Sequence, residues 1–147
     1  MRSSVCIDAG VFVKVLVQED LSDIARQQWE TWTLDEKRKP IAPALFLFEV
    51  VAVLRKQVYQ GRLTLEEGDV ALDVLLDANV EIVTSTALHR RAWELAGRFN
   101  RPTAYDAHYL ALAEMEGCEF WTADERLYNS VKGGFTLIRW LGELTGQ

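Results

Sequence analysis

Short apolar runs alternate with amphipathic stretches along the whole chain. The apolar runs predict five β-strands, at residues 4–8, between Pro40 and Pro43, and at 80–85, 118–123 and 134–140. The stretches between them place apolar residues at helical spacing, which predicts helices from about Val11 and over 21–37, 44–60, 64–77, 87–99, 103–116 and 124–131. Strands separated throughout by helices predict an α/β fold of three layers, α/β/α, around a central, mostly parallel five-stranded sheet.

Length and composition fit a single folded domain. The chain has 147 residues, 49 % of them hydrophobic, and carries no repeat, low-complexity tract or linker, so we predict one domain over residues 1–147. The apolar run at residues 1–17 is interrupted by Asp8 and Lys14 and is followed by no small-residue cleavage site. We therefore expect neither a signal peptide nor a membrane-crossing segment, and a cytoplasmic location.

Charge and residue types narrow the range of partners. The net charge is −6 and the sequence pI is about 4.9, which argues against nucleic-acid binding through a broad basic face. Any contact with nucleic acid must then be local, assisted by divalent cations or by a basic partner. Cys6 and Cys118 follow no metal-binding spacing and are expected to be buried, reduced thiols. His89 and His108 lie far apart in the sequence and lack a zinc spacing.

Two aspartates follow predicted strands. Asp8 ends the first strand and Asp124 comes directly after the fourth. Aspartate is a preferred N-cap, so each side chain has a structural explanation at the start of the next helix, and Thr122 competes with Asp124 for that role. The alternative is a functional carboxylate at the carboxyl end of a strand, and the sequence leaves the two interpretations evenly balanced.

Two further acids lie on predicted helices. Glu49 has apolar neighbours such as Phe46 and Val53 on its own helix, and an ionised carboxylate there requires a partner, a cation or a wet cleft. This favours a functional role for Glu49 over a place on a solvated stripe. Thr103 and Asp106 have the spacing of a capping box, and on that spacing alone the cap is the favoured interpretation of Asp106.

The predicted topology changes the interpretation of these four acids taken together. Because ligands of parallel sheets bind outside the carboxyl ends of the strands, the two strand-end aspartates and the two helical acids can meet at one sheet edge. Clustered carboxylates repel one another unless they take up protons or bind a cation. Carboxylates without His or Cys favour Mg²⁺ or Mn²⁺ over Zn²⁺, so we predict a divalent-cation site formed by Asp8, Glu49, Asp106 and Asp124.

Four short segments resemble the acidic motifs of PIN domains, and most closely those of the VapC-type toxins of bacterial and archaeal toxin–antitoxin pairs. The segments read CIDAGVFVK, FEVVAVLRK, YDAHYLALA and FWTADERL, and the resemblance covers essentially the whole chain. It implies a PIN-like fold and an endoribonuclease that depends on Mg²⁺ or Mn²⁺ and cleaves single-stranded or loop RNA. It also implies a cognate antitoxin protein and a homodimer.

The resemblance also implies roles for particular residues. Three aspartates match family acids that would hold one or two metal ions, polarising the scissile phosphate and lowering the pKa of a bound water: Asp8, Asp106 and Asp124. Glu49 would complete the metal shell or hold the attacking water. Thr122 matches the hydroxyl that precedes the last acid of the family, a group that positions water or supports the metal ligands.

Other residues bear on RNA and partner binding. Relatives commonly carry Ser, Thr or Asn where this chain has Gly10, so a side chain that orients a ligand or a phosphate is missing here. Among the basic residues, Arg55 and Arg101 are the preferred candidates for RNA phosphate contacts. Trp29 and Trp32 stand at helical spacing and are explained either by core packing or by an apolar patch that receives a partner helix.

Three alternatives to the toxin ribonuclease remain open. A receiver-like phospho-acceptor domain also has a parallel sheet and an acidic Mg²⁺ pocket, but it requires acids ahead of the first-strand aspartate, and none precedes Asp8. A PIN-like nuclease outside a toxin–antitoxin pair would differ only in its partner. A catalytically weak PIN-like binding module would differ in metal binding, and the glycine at position 10 is its only support.

Overall fold

Five short strands form the sheet at the centre of the computed structural model, which describes residues 3–146. Within that range the strands are β1 (Ser4–Ile7), β2 (Lys39–Pro43), β3 (Glu81–Val83), β4 (Phe120–Thr122) and β5 (Ile138–Trp140). The strand order is β3-β2-β1-β4-β5, and every neighbouring pair is parallel. The predicted five-stranded sheet is therefore confirmed, and it is parallel throughout.

Helices connect the strands. They are α1 (Ala9–Leu16), α2 (Ser22–Glu30), α3 (Leu45–Tyr59), α4 (Leu65–Asp77), α5 (Thr86–Arg98), α6 (Tyr105–Glu116) and α7 (Glu125–Val131). A π-helical turn over Thr31–Asp35 extends α2, and a 3₁₀ turn over Leu141–Leu144 follows β5. In the part of the chain that the structure describes, no helix has both the length and the apolar character needed to cross a bilayer.

The two halves of the sheet are built in opposite directions. The chain runs from β1 through β2 to β3, and then returns to the other side of β1 to add β4 and β5. Because crossovers between parallel strands are right-handed, α1 to α4 cover one face and α5 to α7 cover the other. This confirms the three-layer α/β/α architecture. The central strand β1 is covered on both sides, and Val5, Cys6 and Ile7 are completely buried.

Some element boundaries differ from the predicted ones. The helix predicted over 21–37 ends in the π-helical turn, where the Arg38 amide donates to the Trp32 carbonyl. The helix predicted from Thr103 begins only at Tyr105. The strand predicted over 134–140 shrinks to Ile138–Trp140, because the residues before it form the turn that closes α7.

The tryptophan pair near the end of α2 packs into the core. The Trp32 side chain is 1 % exposed, and its ring centroid lies 5.6 Å from that of Trp121. Trp29 is partly buried and packs edge-on against Phe12, with 4.9 Å between the ring centroids. Of the two explanations for this pair, core packing is the one that the structure supports.

Both cysteines are buried free thiols, as predicted. Burial raises the pKa of Cys118 to about 11 and also raises the pKa of Cys6. Because the thiolate is the reactive form, we expect neither thiol of the folded protein to react within seconds with a chromogenic disulfide reagent at a pH of about 8. Both thiols should react at once in guanidinium chloride. Rapid reaction of the folded protein would contradict the prediction.

The strand order determines where a ligand can bind. The sheet grows in opposite directions on the two sides of β1, so its order reverses between β1 and β4. Ligands of open parallel sheets bind outside the carboxyl ends of the strands at such a reversal. Asp8 directly follows β1, and Asp124 lies just beyond β4. The fold therefore delivers both aspartates to the edge where a site is expected.

Candidate active site

A cleft of about 400 Å³ opens at the carboxyl ends of β1 and β4. Its lining includes the four acids predicted from the sequence: Asp8, Glu49, Asp106 and Asp124. Three further side chains that bear on its chemistry also line it: Lys14, Glu19 and Tyr109. The structure thus brings the four predicted carboxylates into one hollow, although they belong to four different parts of the chain.

Asp8 both caps a helix and faces the cleft. Its Oδ1 accepts a hydrogen bond from the Val11 amide at 2.9 Å, which makes it the N-cap of α1, and its Oδ2 accepts one from the Thr122 hydroxyl. Burial raises the pKa of Asp8 to about 6; the two hydrogen bonds oppose this rise and the charge of Glu49 adds to it. The structural and the functional interpretation of Asp8 are therefore compatible.

Thr122 connects Asp8 to the loop after β4. The side chain is completely buried, and its Oγ1 donates to Asp8 and accepts from the Asp124 amide at 2.9 Å. The Asp124 carboxylate caps α7, because its Oδ1 accepts from the amides of Arg126 and Leu127. A single buried hydroxyl therefore fixes the position of one carboxylate and of the backbone that carries another.

Glu49 is held by Tyr109, a residue that the sequence motifs do not point to. The Tyr109 hydroxyl donates to Glu49 Oε1 at 2.9 Å, and the Tyr109 ring stacks on Phe120 with 5.4 Å between the ring centroids. Burial raises the pKa of Glu49, the Tyr109 hydrogen bond opposes that rise, and the nearby Asp106 charge adds to it. Tyr109 is three positions after Asp106, and this helical spacing is the signal that would have placed it on the same face of α6.

The predicted capping box at Asp106 is wrong. Helix α6 begins at Tyr105, its N-cap is Ala104, and no side chain caps it. Asp106 therefore lies within the first turn of the helix rather than at the third position after a threonine cap. Its Oδ2 instead accepts a hydrogen bond from Arg101 Nη2 at 3.1 Å, and its carboxylate lines the cleft.

The PIN domain family model matches residues 5–132, a range that includes all four cleft acids. This chain belongs to the PIN domain family. The membership confirms the family resemblance of the sequence motifs and excludes the receiver-like alternative.

Two curated relatives of this PIN domain are VapC ribonucleases. VapC ribonuclease Mb0985 of Mycobacterium bovis and ribonuclease VapC9 of Mycobacterium tuberculosis are each 35 % identical over 85 residues. The matched segment covers 58 % of this chain and 65 % of each relative. The chain therefore spans less than two thirds of the length of the curated relatives it matches.

Solved structures share the fold of this PIN domain. PAE2754 from Pyrobaculum aerophilum superposes with a TM-score of 0.70 at 19 % identity, covering 98 % of this chain and 95 % of that one. VapC20 of Mycobacterium tuberculosis, described as a sarcin–ricin loop cleaving toxin, gives 0.66 at 17 % identity, covering 92 % and 99 %. A toxin–antitoxin complex from Klebsiella pneumoniae gives 0.65 at 18 % identity, covering 92 % and 96 %. At these identities the likeness shows the fold alone.

The two arginines predicted to contact RNA lie in different places on the PIN domain. Arg101 reaches the cleft through its hydrogen bond to Asp106. Arg55 does not line the cleft: it is exposed on α3 and borders an apolar groove between α3 and α4. The reason is helical geometry, since Glu49, Val53 and Gln57 form the cleft-facing row of α3 and position 55 points to another side.

Gly10 lets the loop after β4 approach α1 closely. A Cβ at position 10 would lie 3.3 Å from the Ala123 Cβ and 3.4 Å from Asp8 Oδ1. The space that a side chain would take at position 10 is therefore bounded by the Ala123 methyl group and the Asp8 carboxylate. A serine or threonine at this position would have to fit between Ala123 and the Asp8 carboxylate.

The cleft and its surroundings hold no ready-made metal-binding set. Within residues 3–146, no three His, Cys, Asp or Glu side chains stand close enough together to form one. Mutual repulsion of the four carboxylates favours this separation. The two histidines, distant in the sequence, do meet in the fold, with His89 Nδ1 2.9 Å from His108 Nε2. Two imidazoles are fewer ligands than a structural or catalytic zinc site uses.

Replacing Tyr109 with phenylalanine is expected to lower the free energy of unfolding by about 1 kcal/mol, because the hydrogen bond to Glu49 is lost while the ring still stacks on Phe120. Urea denaturation followed by circular dichroism measures the change. Tyr105→Phe is the matched control, since its side chain is 65 % exposed, and it should change stability by less than about 0.5 kcal/mol. Equal losses in both variants would contradict the assigned role of the hydroxyl.

Proposed function

We propose that this PIN domain is an endoribonuclease that depends on Mg²⁺ or Mn²⁺, cleaves single-stranded or loop RNA, and acts as the toxin of a toxin–antitoxin pair. The observation that supports this most directly is the cleft at the sheet reversal, lined by Asp8, Glu49, Asp106 and Asp124. Two of its curated relatives carry the name VapC ribonuclease, and one structural neighbour is a toxin–antitoxin complex.

The donor types of the cleft suit a hard divalent cation, which would draw the separated carboxylates together. Its acidic groups are all carboxylates, and neither histidine nor cysteine lines it among the described residues. Such oxygen donors suit Mg²⁺ and Mn²⁺. The raised pKa of Asp8, at about 6, reflects the cost of keeping its negative charge buried near Glu49, and a cation would offset that cost.

In this proposal Asp8, Asp106 and Asp124 hold the cation, and Glu49 completes the shell or holds the attacking water. The bound ion supplies the neutralisation of phosphate charge and the acidification of water that phosphodiester hydrolysis requires. Thr122 fixes the Asp8 carboxylate and the Asp124 backbone relative to each other through its two hydrogen bonds. Tyr109 holds Glu49 Oε1, so that the glutamate keeps one orientation at the cleft wall.

The proposal extends to partners and location. A basic segment of an antitoxin protein would suit the acidic cleft, and a chain with a net charge of −6 would gain from such a partner. Arg101, which donates to Asp106, would contact substrate phosphate at the cleft, whereas Arg55 would contact RNA only outside it. We further propose a homodimer that acts in the cytoplasm, where its RNA substrate is found.

A catalytically weak binding module is the second candidate function. Gly10 and the separation of the carboxylates favour it, since a site that does not gather its acids binds metal weakly. A Mn²⁺ titration followed by calorimetry distinguishes the two candidates. The nuclease should bind Mn²⁺ at the cleft, and Asp106→Asn should weaken that binding by at least about tenfold, whereas an inert module should bind none.

RNA cleavage tests the proposed function directly. We expect a single-stranded RNA to be cut by the wild-type protein in Mg²⁺ or Mn²⁺, and to remain intact in EDTA. Asp106→Asn should abolish the cleavage, while Asp73→Asn, an exposed acid of α4, should leave it unchanged. Cleavage that persists in EDTA, or that is equal in all three proteins, would overturn the proposal.

A further inference from the structure

The cleft contains one positive charge that the proposed metal chemistry does not use. Five acids line it, namely the four described above and Glu19, and Lys14 is the only cationic residue in its lining among the described residues. The Lys14 side chain is 16 % exposed, and its Nζ lies 3.3 Å from Glu19 Oε1. Lys14 is therefore a partly buried ammonium group facing an acidic hollow.

Lys14 retains hydrogen-bonding capacity toward a ligand. An ammonium group has three donors, and the described contact to Glu19 occupies one of them. Two nearby arginines do not line the cleft: Arg101 donates to Asp106, and Arg26 donates to the Val15 carbonyl and to Gln18. Of these three cations, Lys14 is the one that combines a place in the cleft wall with free donors.

The position of Lys14 on α1 separates it from the proposed metal ligands. Asp8 is the N-cap of α1 and Lys14 lies in its last turn, six residues further along. At a rise of about 1.5 Å per residue, the two positions are about 9 Å apart along the helix axis. Because its Nζ is held by Glu19, beyond the end of α1, the ammonium group lies beside the four proposed site acids rather than among them, toward the end where the cleft meets a larger groove lined by Glu19 and Gln57.

We propose that Lys14 is a substrate-binding residue that contacts a backbone phosphate of the RNA next to the scissile one, with Glu19 holding its ammonium group in the cleft until the substrate arrives. This inference rests on the proposed function, since it assigns the phosphate contact of the same site. A net charge of −6 opposes the approach of RNA, so a single well-placed cation has a large share in binding.

The competing explanation is a purely structural ion pair between the end of α1 and the following turn. Exposed or partly exposed pairs of this kind contribute little to stability. Lys14→Gln should therefore shift the melting temperature by less than about 2 °C. The decisive readouts are KM for RNA and its salt dependence, which a structural ion pair would not change.

Steady-state cleavage of a single-stranded RNA in Mn²⁺ at several KCl concentrations tests the inference. For Lys14→Gln we expect KM to rise about fivefold to tenfold while kcat falls much less. We also expect the slope of log KM against log salt concentration to decrease by about 0.7, because that is the contribution of one phosphate contact on a single strand. Lys14→Arg should restore both quantities. Lys37→Gln, at an exposed lysine before β2, is the matched control and should change neither.

The outcomes separate this inference from the proposed function. An unchanged KM and salt slope in Lys14→Gln, with normal cleavage by the wild type, would overturn the inference and leave the nuclease intact. A loss of Mn²⁺ affinity in Lys14→Gln that matches its loss of activity would also overturn it, because Lys14 would then support the metal site. If the wild type cleaves no RNA, the proposed function fails, and fluorescence anisotropy with the same RNA then decides whether Lys14 binds phosphate.

Discussion

Asp8→Asn is expected to reduce cation-dependent RNA cleavage by about 100-fold or more. Asp8 is placed at the end of the central strand and at the start of α1, and both of its carboxylate oxygens are held by hydrogen bonds. The substitution replaces the most deeply buried of the four cleft carboxylates with an uncharged amide. Cleavage of a fluorescent single-stranded RNA in Mn²⁺, together with calorimetric Mn²⁺ titration, measures both effects.

The same substitution should leave the fold intact. Asparagine keeps an Oδ1 that accepts from the Val11 amide, and its Nδ2 can donate to the Thr122 hydroxyl, which accepts where it previously donated. Because a buried negative charge near Glu49 is removed, we expect the melting temperature in EDTA to be unchanged or higher. Mn²⁺ should then raise the melting temperature of the wild type and not that of Asp8→Asn.

A matched control separates the role of Asp8 from a general effect of charge. Asp20→Asn changes an exposed aspartate that lies outside the cleft, and it should retain wild-type cleavage and Mn²⁺ binding. Wild-type activity in Asp8→Asn would contradict the metal assignment. A loss of activity accompanied by a lower melting temperature in EDTA would show that Asp8 acts mainly as the N-cap of α1.

Phe120→Ala is expected to have the largest effect on stability, a loss of about 3–5 kcal/mol in the free energy of unfolding. Phe120 is completely buried on β4, where it pairs in register with Cys6 of β1 and Ile138 of β5, and its ring stacks on Tyr109. Truncation leaves a cavity at the centre of the sheet. The free energy of unfolding of such domains is only about 5–15 kcal/mol, so this loss is a large part of it. We expect the melting temperature to fall by roughly 10 °C.

The control for this prediction is another phenylalanine of the same chain. Phe48 on α3 is 77 % exposed, so Phe48→Ala should change the free energy of unfolding by less than about 0.5 kcal/mol. Guanidinium denaturation of both variants, followed by tryptophan fluorescence, provides the comparison. If both variants lost a similar amount of the free energy of unfolding, the prediction that the packing of β4 against α6 is a major contribution to stability would be contradicted.

The layers of the fold could be predicted from the sequence because apolar periodicity reports burial directly. The strands around Val5 and Phe120 are mainly apolar, since a central parallel strand is covered on both faces. Their ends are less predictable. The turn before Ile138 and the π-helical end of α2 depend on backbone hydrogen bonds, such as that from Arg38 to Trp32, which side-chain pattern does not encode.

The acids of the candidate site could be predicted from the sequence, but the residues that hold those acids in place could not. Asp8 and Asp124 stand after strands, and the parallel topology directs both to one edge. At Asp106 the local spacing was misleading, because a helix start depends on where the preceding loop ends, and here that loop continues to Ala104. The partnership of Tyr109 with Glu49 joins residues 60 positions apart, and no local pattern predicts it.

The sequence by itself determined the three-layer parallel architecture, the family, and the identity of the four acids, because each follows from local periodicity or from short motifs. Only the tertiary structure decided which side chains surround those acids. It placed Arg101 at the cleft and Arg55 away from it, and it positioned Lys14 as the one cation in the cleft lining of residues 3–146. The physical reason is that orientation around a helix axis and contact between distant segments depend on how the elements pack, which a linear pattern does not specify.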